Sequence, residues 1–304
     1  MQTTILQPAM PAEAQDFGLP EPRRLAARNG SPPSNVIICA DNCDELGKMP
    51  RDCIDLVVTS PPYDDLRTYG GLSWDFYGVA WQLKRVLKPG GVIVWIVNDE
   101  TKDGTESGSS MRQALHFQTL GLNLHDTMVW NKGSCRFPET NRYYPTWEYM
   151  FVLSKGKPKT AQLIEDRKNL YVGQRVAREK QIRTRDGRMI ENSANRIDPE
   201  REIKEIGVRF NIWNDAVAAS TDEKTGHPAM FPESLVKDHI RTWSEPGDLV
   251  LDPFSGSGTT CKAAKELNRR YVGIEINPEY VRIAEQRISQ DVLMLETRKV
   301  ENNY

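Results

Sequence analysis

A glycine-rich turn between a strand pattern and a helix pattern constrains the fold of this chain more than any other feature. A buried-strand pattern, 248–251, leads directly into residues 252–259, which read Asp-Pro-Phe-Ser-Gly-Ser-Gly-Thr, and a helical pattern follows. Gly256 and Gly258 can adopt backbone conformations that are closed to other residues, and their missing side chains allow a ligand to approach the main chain. Such a turn is typical of α/β folds that bind a nucleotide-like cofactor.

The spacing of this loop favours a smaller ligand than a dinucleotide. The dinucleotide fingerprint reads Gly-x-Gly-x-x-Gly and seats a pyrophosphate on the helix N-terminus, whereas Thr259 follows the second glycine here and no third glycine comes at that spacing. Downstream, the strand pattern 270–275 ends in Glu275, as expected of a carboxylate that accepts from both ribose hydroxyls. A glycine turn and a solvated glutamate explain either part alone, but strand, loop, helix and acid together predict an adenosine site.

A second turn, much earlier in the chain, indicates where the chemistry takes place. The apolar run 54–58 ends in Thr59 and the tetrapeptide Ser60-Pro-Pro-Tyr63. The prolines stiffen the turn and leave carbonyl oxygens free to accept hydrogen bonds. An exocyclic amino group on a base is a poor nucleophile because its lone pair is delocalised into the ring. If the Ser60 hydroxyl and the Pro61 carbonyl accept its two hydrogens, the lone pair turns toward an electrophile. Alone, four such residues are more often a proline turn that closes a strand.

Together, and in this order, the two turns resemble the motifs of the S-adenosylmethionine-dependent DNA amino-methyltransferases of the permuted (beta) class. The cofactor loop of that family reads Asp-Pro-Phe-x-Gly-x-Gly-Thr, which residues 252–259 match throughout. Its catalytic motif reads Ser-, Asp- or Asn-Pro-Pro-Tyr, which residues 60–63 match. Two positions depart from the family pattern, since His227 stands where lysine is common and Ala40-Asp41 replaces Gly-Asp. Further segments similar to the family are 85–91, 130–132, 147–149 and 228–235.

The resemblance implies an α/β fold with a doubly wound, mostly parallel, Rossmann-like methyltransferase sheet, circularly permuted, that carries a basic target-recognition insert. The residues favour the same fold, because short apolar runs alternate with helical patterns. Loops that follow parallel strands meet at one edge of the sheet, so the two turns should face each other. Further predicted strands are Val36–Cys39, 92–97, 127–130 and 149–153. Predicted helices are 79–87, which Pro89-Gly90-Gly91 ends, 111–120, and two helices opened by Pro232 and by Asn277-Pro278.

The chain is therefore expected to divide into two halves of one methyltransferase domain with an insert between them. The predicted parts are a flexible leader 1–30, a catalytic half 31–154, a target-recognition insert 155–211, a cofactor-binding half 212–290 and a C-terminal tail 291–304.

The expected reaction is direct in-line methyl transfer to the exocyclic N4 of cytosine in a base that has been flipped out of duplex DNA. In the resembling family, aspartate or asparagine at the first motif position accompanies adenine N6, so Ser60 favours cytosine. Adenine N6 is the alternative, followed by RNA or a glutamine side chain, whose amide nitrogen has the same delocalised lone pair. Methylation of cytosine C5 is disfavoured because it needs a cysteine nucleophile, and no cysteine follows a proline in a catalytic turn.

The predicted site residues follow from the two turns and the resemblance. Asp41 is equally well explained as an ordinary turn aspartate and Phe231 as a core residue. The predicted catalytic residues are Ser60, Pro61, Pro62 and Tyr63. The predicted residues for binding S-adenosyl-L-methionine are Asp41, Pro228, Phe231, Pro232, Asp252, Pro253, Phe254, Ser255, Gly256, Ser257, Gly258, Thr259 and Glu275.

Contact with DNA is expected from a local excess of positive charge. The net charge of −2 and the pI of about 6.2 are not those of a basic nucleic-acid binder. From Lys155 to Arg209, however, there are 15 Lys or Arg against 9 Asp or Glu. A solvated loop explains such a charge run as well as phosphate contacts do. The candidate DNA-binding residues are Arg175, Arg183, Arg185 and Arg188.

The remaining composition excludes several classes of protein. Five cysteines without a Cys-x-x-Cys pair argue against a disulfide framework and a zinc site. No apolar stretch is long enough to span a bilayer and no signal peptide pattern opens the chain, so a cytoplasmic protein without membrane contact is expected. The expected partner is double-stranded DNA. The resemblance adds a homodimer and a cognate restriction endonuclease as further partners.

Overall fold

The two predicted strands that lead into the two turns lie in one eight-stranded sheet. The computed structural model describes residues 30–62, 74–133, 141–174, 181–184, 186–191, 202–214 and 232–301. The strands are β1 (Val36–Cys39), β2 (Ile54–Thr59), β3 (Leu87–Val97), β4 (Thr101–Lys102), β5 (Thr105–Glu106), β6 (Asn123–Asn131), β7 (Trp147–Ser154), β8 (Glu165–Lys168), β9 (Gln181–Arg183), β10 (Met189–Glu191), β11 (Ile206–Val208), β12 (Ile212–Asn214), β13 (Leu249–Asp252) and β14 (Arg270–Glu275). The helices are α1 (Asn42–Lys48), α2 (Phe76–Val86), α3 (Ser109–Thr119), α4 (Glu233–Trp243), α5 (Thr259–Glu266) and α6 (Pro278–Glu301).

The sheet has the order β1-β14-β13-β2-β3-β7-β6-β12. Strand β7 runs antiparallel to both of its neighbours, β3 and β6, and the other pairs of this sheet are parallel. The prediction of a doubly wound, mostly parallel α/β sheet is therefore confirmed. Within the described ranges, three small antiparallel pairs lie outside this sheet, namely β4 with β5, β8 with β11, and β9 with β10.

Both faces of the sheet are covered by helices, which explains why its strands are apolar at consecutive positions. In β3, the side chains of Ile93, Trp95 and Val97 pack with residues of α1, α2 and α3, and those of Val94 and Ile96 pack with residues of α4, α5 and α6. None of these five side chains is exposed. A strand buried on both faces shows a continuous apolar run rather than alternation, as this one does.

The end of α2 differs from the prediction. Pro89-Gly90-Gly91 was expected to stop this helix, but the helix ends at Val86, and Leu87 already has an extended backbone. The amide of Leu87 still donates to the Leu83 carbonyl, which caps the last turn. Residues 88–91 belong to β3, where Gly90 N donates to Lys155 O at 2.7 Å. The residue before a proline avoids the helical region, so the chain turns into the strand before Pro89 is reached.

Two short elements, one after β1 and one at the sheet edge beyond β6, were not predicted from the sequence. Helix α1 is only seven residues long and is capped by Asp41, whose side chain accepts from Asp44 N. Strand β12 has three residues and pairs with the end of β6. Both are too short to show a hydrophobic period, so only tertiary contacts reveal them.

The last helix continues past the predicted domain boundary. Helix α6 runs for 24 residues and includes 291–301 of the predicted tail.

Of the helices that the structure describes, none is long and apolar enough to cross a membrane.

Two buried carboxylates fix how β2 and β13 lie against each other. Asp55, which is 7% exposed, accepts from Leu249 N at 3.0 Å and from Lys88 Nζ at 2.7 Å. At the other end of the same strand pair, Thr59 Oγ1 donates to Asp252 Oδ1 at 2.7 Å. The pair is therefore anchored at its amino end and at its carboxyl end.

We expect Asp55→Ala to lower the free energy of unfolding by about 1–3 kcal/mol, because it leaves the buried Leu249 amide without an acceptor. The measurement is the urea dependence of unfolding. Glu279→Ala is the control, since Glu279 pairs with Arg282 on the surface and exposed pairs contribute less than about 1 kcal/mol. Equal losses in the two variants would contradict a role of Asp55 in holding the strands together.

Candidate functional site

The site is formed by the carboxyl ends of four consecutive parallel strands, β1, β14, β13 and β2. Asp41 follows β1, Glu275 ends β14, the glycine loop 252–259 follows β13, and Ser60 follows β2. Leu251 pairs with Val57 in the ladder between β13 and β2. The last residues of these two strands, Thr59 and Asp252, are joined by a hydrogen bond. The prediction that the two turns meet is confirmed.

The glycine loop is shaped by contacts within the protein. Ser255 N donates to Ile274 O at 2.9 Å, and Gly258 N donates to Ser255 O at 2.8 Å. Gly256 and Gly258 have φ of 50° and 81°, in the left-handed region that favours glycine. A Cβ on Gly258 would lie 2.8 Å from the Cβ of Ala284 on α6. Gly258 is therefore required by its backbone conformation and by the approach of a helix.

Glu275 supports the glycine loop with both carboxylate oxygens. Its Oε2 accepts from Gly256 N at 2.8 Å, and its Oε1 accepts from Asn277 N at 2.8 Å. The amide of Gly256 is thus bound to protein. A carboxylate offers about four acceptor positions, so Glu275 retains capacity for hydroxyl donors of a ligand.

Asp41 caps α1. The sequence explained this residue equally well as a turn aspartate or as a cofactor contact, and the cap is the turn role. Its Oδ1 accepts from Asp44 N at 3.0 Å. The next residue, Asn42, donates from Nδ2 to Pro253 O at 3.1 Å and so joins the end of β1 to the glycine loop. Asn42 was not predicted, because its only signal is its position directly after a strand and a capping residue.

Asp252 is a buried acid at this edge. It is 2% exposed. Loss of hydration, aided by the negative charge of Glu275, raises the pKa of its carboxyl to about 6, although hydrogen bonds from Thr59, Thr260 and the Phe254 amide act in the opposite direction. Thr260 also donates to Val58 O at 3.3 Å. Asp252 is therefore a buried junction between the two turns.

The turn that the sequence predicts to be catalytic directly follows β2. Ser60 and Pro62 are half-buried and Pro61 is buried, directly after β2. Tyr63 lies outside the described residues.

Aromatic side chains form an apolar wall behind the glycine loop. The ring of Phe254 packs edge-on against Trp74 with 4.8 Å between centroids, and it lies 6.3 Å from the ring of Trp95. Trp95 is fully buried and donates from Nε1 to Gln113 Oε1 at 2.8 Å. The sequence did not assign Trp74 or Trp95 to the site, because a lone tryptophan is more often a core residue.

The donor and acceptor groups at the four strand ends fit an adenosine-like ligand. Three carboxylates, those of Asp41, Asp252 and Glu275, lie at these strand ends, and Phe254 of the loop packs against Trp74. Carboxylates accept from hydroxyl and amino groups and repel phosphates. The edge therefore suits a ribose and a positively charged group better than a pyrophosphate, in agreement with the spacing of the glycines.

Arg287 on α6 holds the glycine loop from the side of the last helix. Its Nη1 donates to Ser257 O at 2.6 Å, to Ser257 Oγ at 2.9 Å and to Thr259 Oγ1 at 3.4 Å. Nothing in the local sequence marks this arginine, since its partners are 28 and 30 residues away.

The remaining predicted residues lie at the start of α4, in the β9–β10 pair or outside the described residues. Pro232 is the N-cap of α4. Arg188 is exposed and pairs with Asp186 at 3.4 Å in the turn between β9 and β10, and Arg183 lies on β9. These strands form a separate two-stranded sheet. The predicted residues outside the described part of the chain are Pro228, Phe231, Arg175 and Arg185.

Comparison with known proteins gives consistent matches. The family model N6_N4_Mtase, described as DNA methylase, matches residues 54–286. The orphan methyltransferase M.BamHII of Bacillus amyloliquefaciens is 50% identical over 248 residues, which cover 80% of this chain and 92% of that protein.

Among solved structures, the cytosine-N4-specific PvuII DNA methyltransferase aligns with a TM-score of 0.58 at 22% identity and covers 84% of this chain and 86% of its own. This likeness shows the Rossmann-like methyltransferase fold. A putative DNA modification methylase of Thermus thermophilus, solved with S-adenosyl-L-methionine, aligns with a TM-score of 0.55 at 25% identity, covering 84% of this chain and 95% of its own.

We expect Arg287→Gln to weaken binding of S-adenosyl-L-methionine, the ligand predicted for this loop, by about 10-fold, because hydrogen bonds from a charged donor are lost. Isothermal titration calorimetry measures the change. Arg282→Gln is the matched control, since Arg282 lies on the same helix and pairs with Glu279 on the surface. A loss of the same size in the control would contradict the role of Arg287 in shaping the loop.

The stability of the protein should depend on the ionisation of Asp252. The pKa of its carboxyl is raised from 3.8 to about 6, so the folded state keeps a proton that the unfolded chain releases between about pH 4 and pH 6. The stabilisation from the neutral carboxyl is full below pH 4 and is lost as the pH rises through 6. Relative to Asp252→Asn, the wild-type free energy of unfolding should fall by roughly 3 kcal/mol between pH 4 and pH 7. Urea titrations across this range test it, and a difference that stays constant or grows with pH would exclude it.

Proposed function

This chain belongs to the N6_N4_Mtase family of DNA methylases, and from that membership we propose that it methylates the exocyclic N4 of cytosine in double-stranded DNA. It is a DNA methyltransferase, and S-adenosyl-L-methionine is its methyl donor. The observation that carries the proposal is the junction of the two turns, where Thr59 and Asp252 are hydrogen-bonded 193 residues apart in sequence. A group held by the glycine loop and a base held at Ser60 would then be neighbours.

In the proposed site, residues 252–259 surround the cofactor, and Glu275 accepts from its ribose hydroxyls while keeping its bond to Gly256. Bound there, the cofactor supplies a methyl group on a positively charged sulfonium. Asp41 and Pro232 are proposed as further contacts, together with Pro228 and Phe231. The buried carboxyl of Asp252 favours a cation nearby once it is ionised.

The base is proposed to bind at the turn after β2. The Ser60 hydroxyl and the Pro61 carbonyl accept the two amino hydrogens, which concentrates the lone pair on the nitrogen. Tyr63 stacks on the base. Methyl transfer creates a positive charge on the nitrogen, and the surplus proton leaves through Ser60 or water. No strong general base is required.

The choice of cytosine rests on Ser60 at the first position of the motif. The alternative, adenine N6, is supported by the family itself, whose name covers both amino-methylations. RNA or a protein glutamine is less well supported, because the relatives are described as acting on DNA or as Type II methyltransferases. The basic insert, with Arg175, Arg183, Arg185 and Arg188, is proposed to contact phosphates.

A homodimer and a cognate restriction endonuclease stay predictions from the family resemblance. The relative M.BamHII is described as an orphan methyltransferase, which favours action without such an endonuclease.

The test is incorporation of labelled methyl groups into DNA, followed by digestion to nucleosides and mass spectrometry. We expect N4-methylcytosine. Ser60→Ala should lower turnover by about 100-fold or more with little change in binding of S-adenosyl-L-methionine, because Ser60 acts on the base. N6-methyladenine as the product would overturn the choice of base, and absence of any methylated nucleoside would overturn the proposed function.

A further inference from the structure

Two adjacent tyrosines stand in solvent beside the catalytic edge of the sheet. Tyr143 is 100% exposed, Tyr144 is 58% exposed, and Trp147 in the same segment is 39% exposed. Single exposed apolar side chains are common, but a cluster of large rings on a protein surface marks an interaction site. The reaction itself does not use these residues.

The ladder of the sheet places this segment at the same edge as Ser60. Strand β3 is parallel to β2, with Trp95 opposite Thr59. Strand β7 is antiparallel to β3, with Tyr149 opposite Val97. The first residues of β7 therefore lie at the edge where β2 ends, and the chain that precedes Trp147 extends beyond that edge.

The segment is held in place from both sides. Arg142 donates from Nη2 to Gly104 O at 2.8 Å and lies 3.7 Å from Glu106, which ties it to the β4–β5 pair. On the other side, Lys132 N donates to Thr146 O at 2.7 Å. The chain on either side of the tyrosines is thus bound to the protein, while Tyr143 and Tyr144 themselves are exposed to solvent.

We propose that Tyr143 and Tyr144 enter the DNA duplex and occupy the stacking position left by the base that turns out toward Ser60. The inference rests on the proposed function, because it needs a flipped base. Removing a base from a duplex leaves its neighbours unstacked. An aromatic ring can stack on any base, so this contact does not depend on sequence. Duplex DNA is the partner because the segment continues the edge at which the protein acts on DNA.

The experiment compares two duplexes that carry the sequence methylated in cells, identified by modification-sensitive sequencing. In the first duplex the target base is paired. In the second it lies opposite an abasic position, so it has no pairing partner and flips out at a lower cost in free energy. For the double variant Tyr143→Ala/Tyr144→Ala, we expect kcat/KM on the paired duplex to fall about 10-fold or more. On the second duplex the variant should recover to within about threefold of the wild type.

A merely structural role predicts equal losses on both duplexes, and that outcome would overturn the inference, as would no loss on either. The conservative variant Tyr143→Phe/Tyr144→Phe keeps the rings, so it should recover most of the rate on the paired duplex. If it is as slow as the alanine variant, stacking is not the cause. Failure of the proposed function is seen separately, because the wild type would then transfer no methyl group to either duplex.

Discussion

The direct pairing of β2 with β13 is the constraint on which the rest of this structure depends. The two strands are far apart in sequence, and a slip of one residue in either would move its side chains to the opposite face of the sheet. Asp55 fixes their amino ends through the Leu249 amide, and Asp252 fixes their carboxyl ends through Thr59. Both carboxylates are buried, where a hydrogen bond is stronger and a missing partner costs more than at the surface. Any chemistry that needs the two turns together depends on this strand pair.

The glycine loop is held by the protein before any ligand arrives. Glu275 binds the Gly256 amide, Ala284 contacts Gly258, and Arg287 binds Ser257 and Thr259. These three contacts come from β14 and α6, on the side opposite to β2. A loop ordered in advance loses less conformational entropy when a ligand binds, which favours affinity without additional contacts. Helix α6 is thus part of the site although none of its residues was predicted to be.

The sequence predicted those features that depend on local pattern, and it missed those that depend on long-range contacts. Apolar runs located the main strands, and Gly256 and Gly258 located the loop, because glycine at such a turn is a local backbone requirement. Arg287, Asn42 and Trp74 were missed, since each is an ordinary residue of its own element and acquires a role only through a distant partner. The role of Asp41 as a cap was left open, because the same residue type serves a turn and a ligand equally well.

The strand order also explains how a chain of net charge −2 can act on a polyanion. Carboxylates are concentrated at the ends of β1, β14 and β13, where the proposed function places a positively charged cofactor. At the ends of β3 and β7 the acids are bound by other groups: Asp99 accepts from the Ser110 amide at 2.8 Å and its hydroxyl at 2.7 Å, and Glu148 pairs with Lys132 at 2.9 Å. The positive charge of Lys132 offsets that of Glu148 and weakens its repulsion of phosphate. Asp99 keeps its negative charge, because amide and hydroxyl donors do not neutralise it. Strand β2 lies between the two regions, so a base at the site proposed for it, Ser60, would have DNA on one side and the methyl donor on the other.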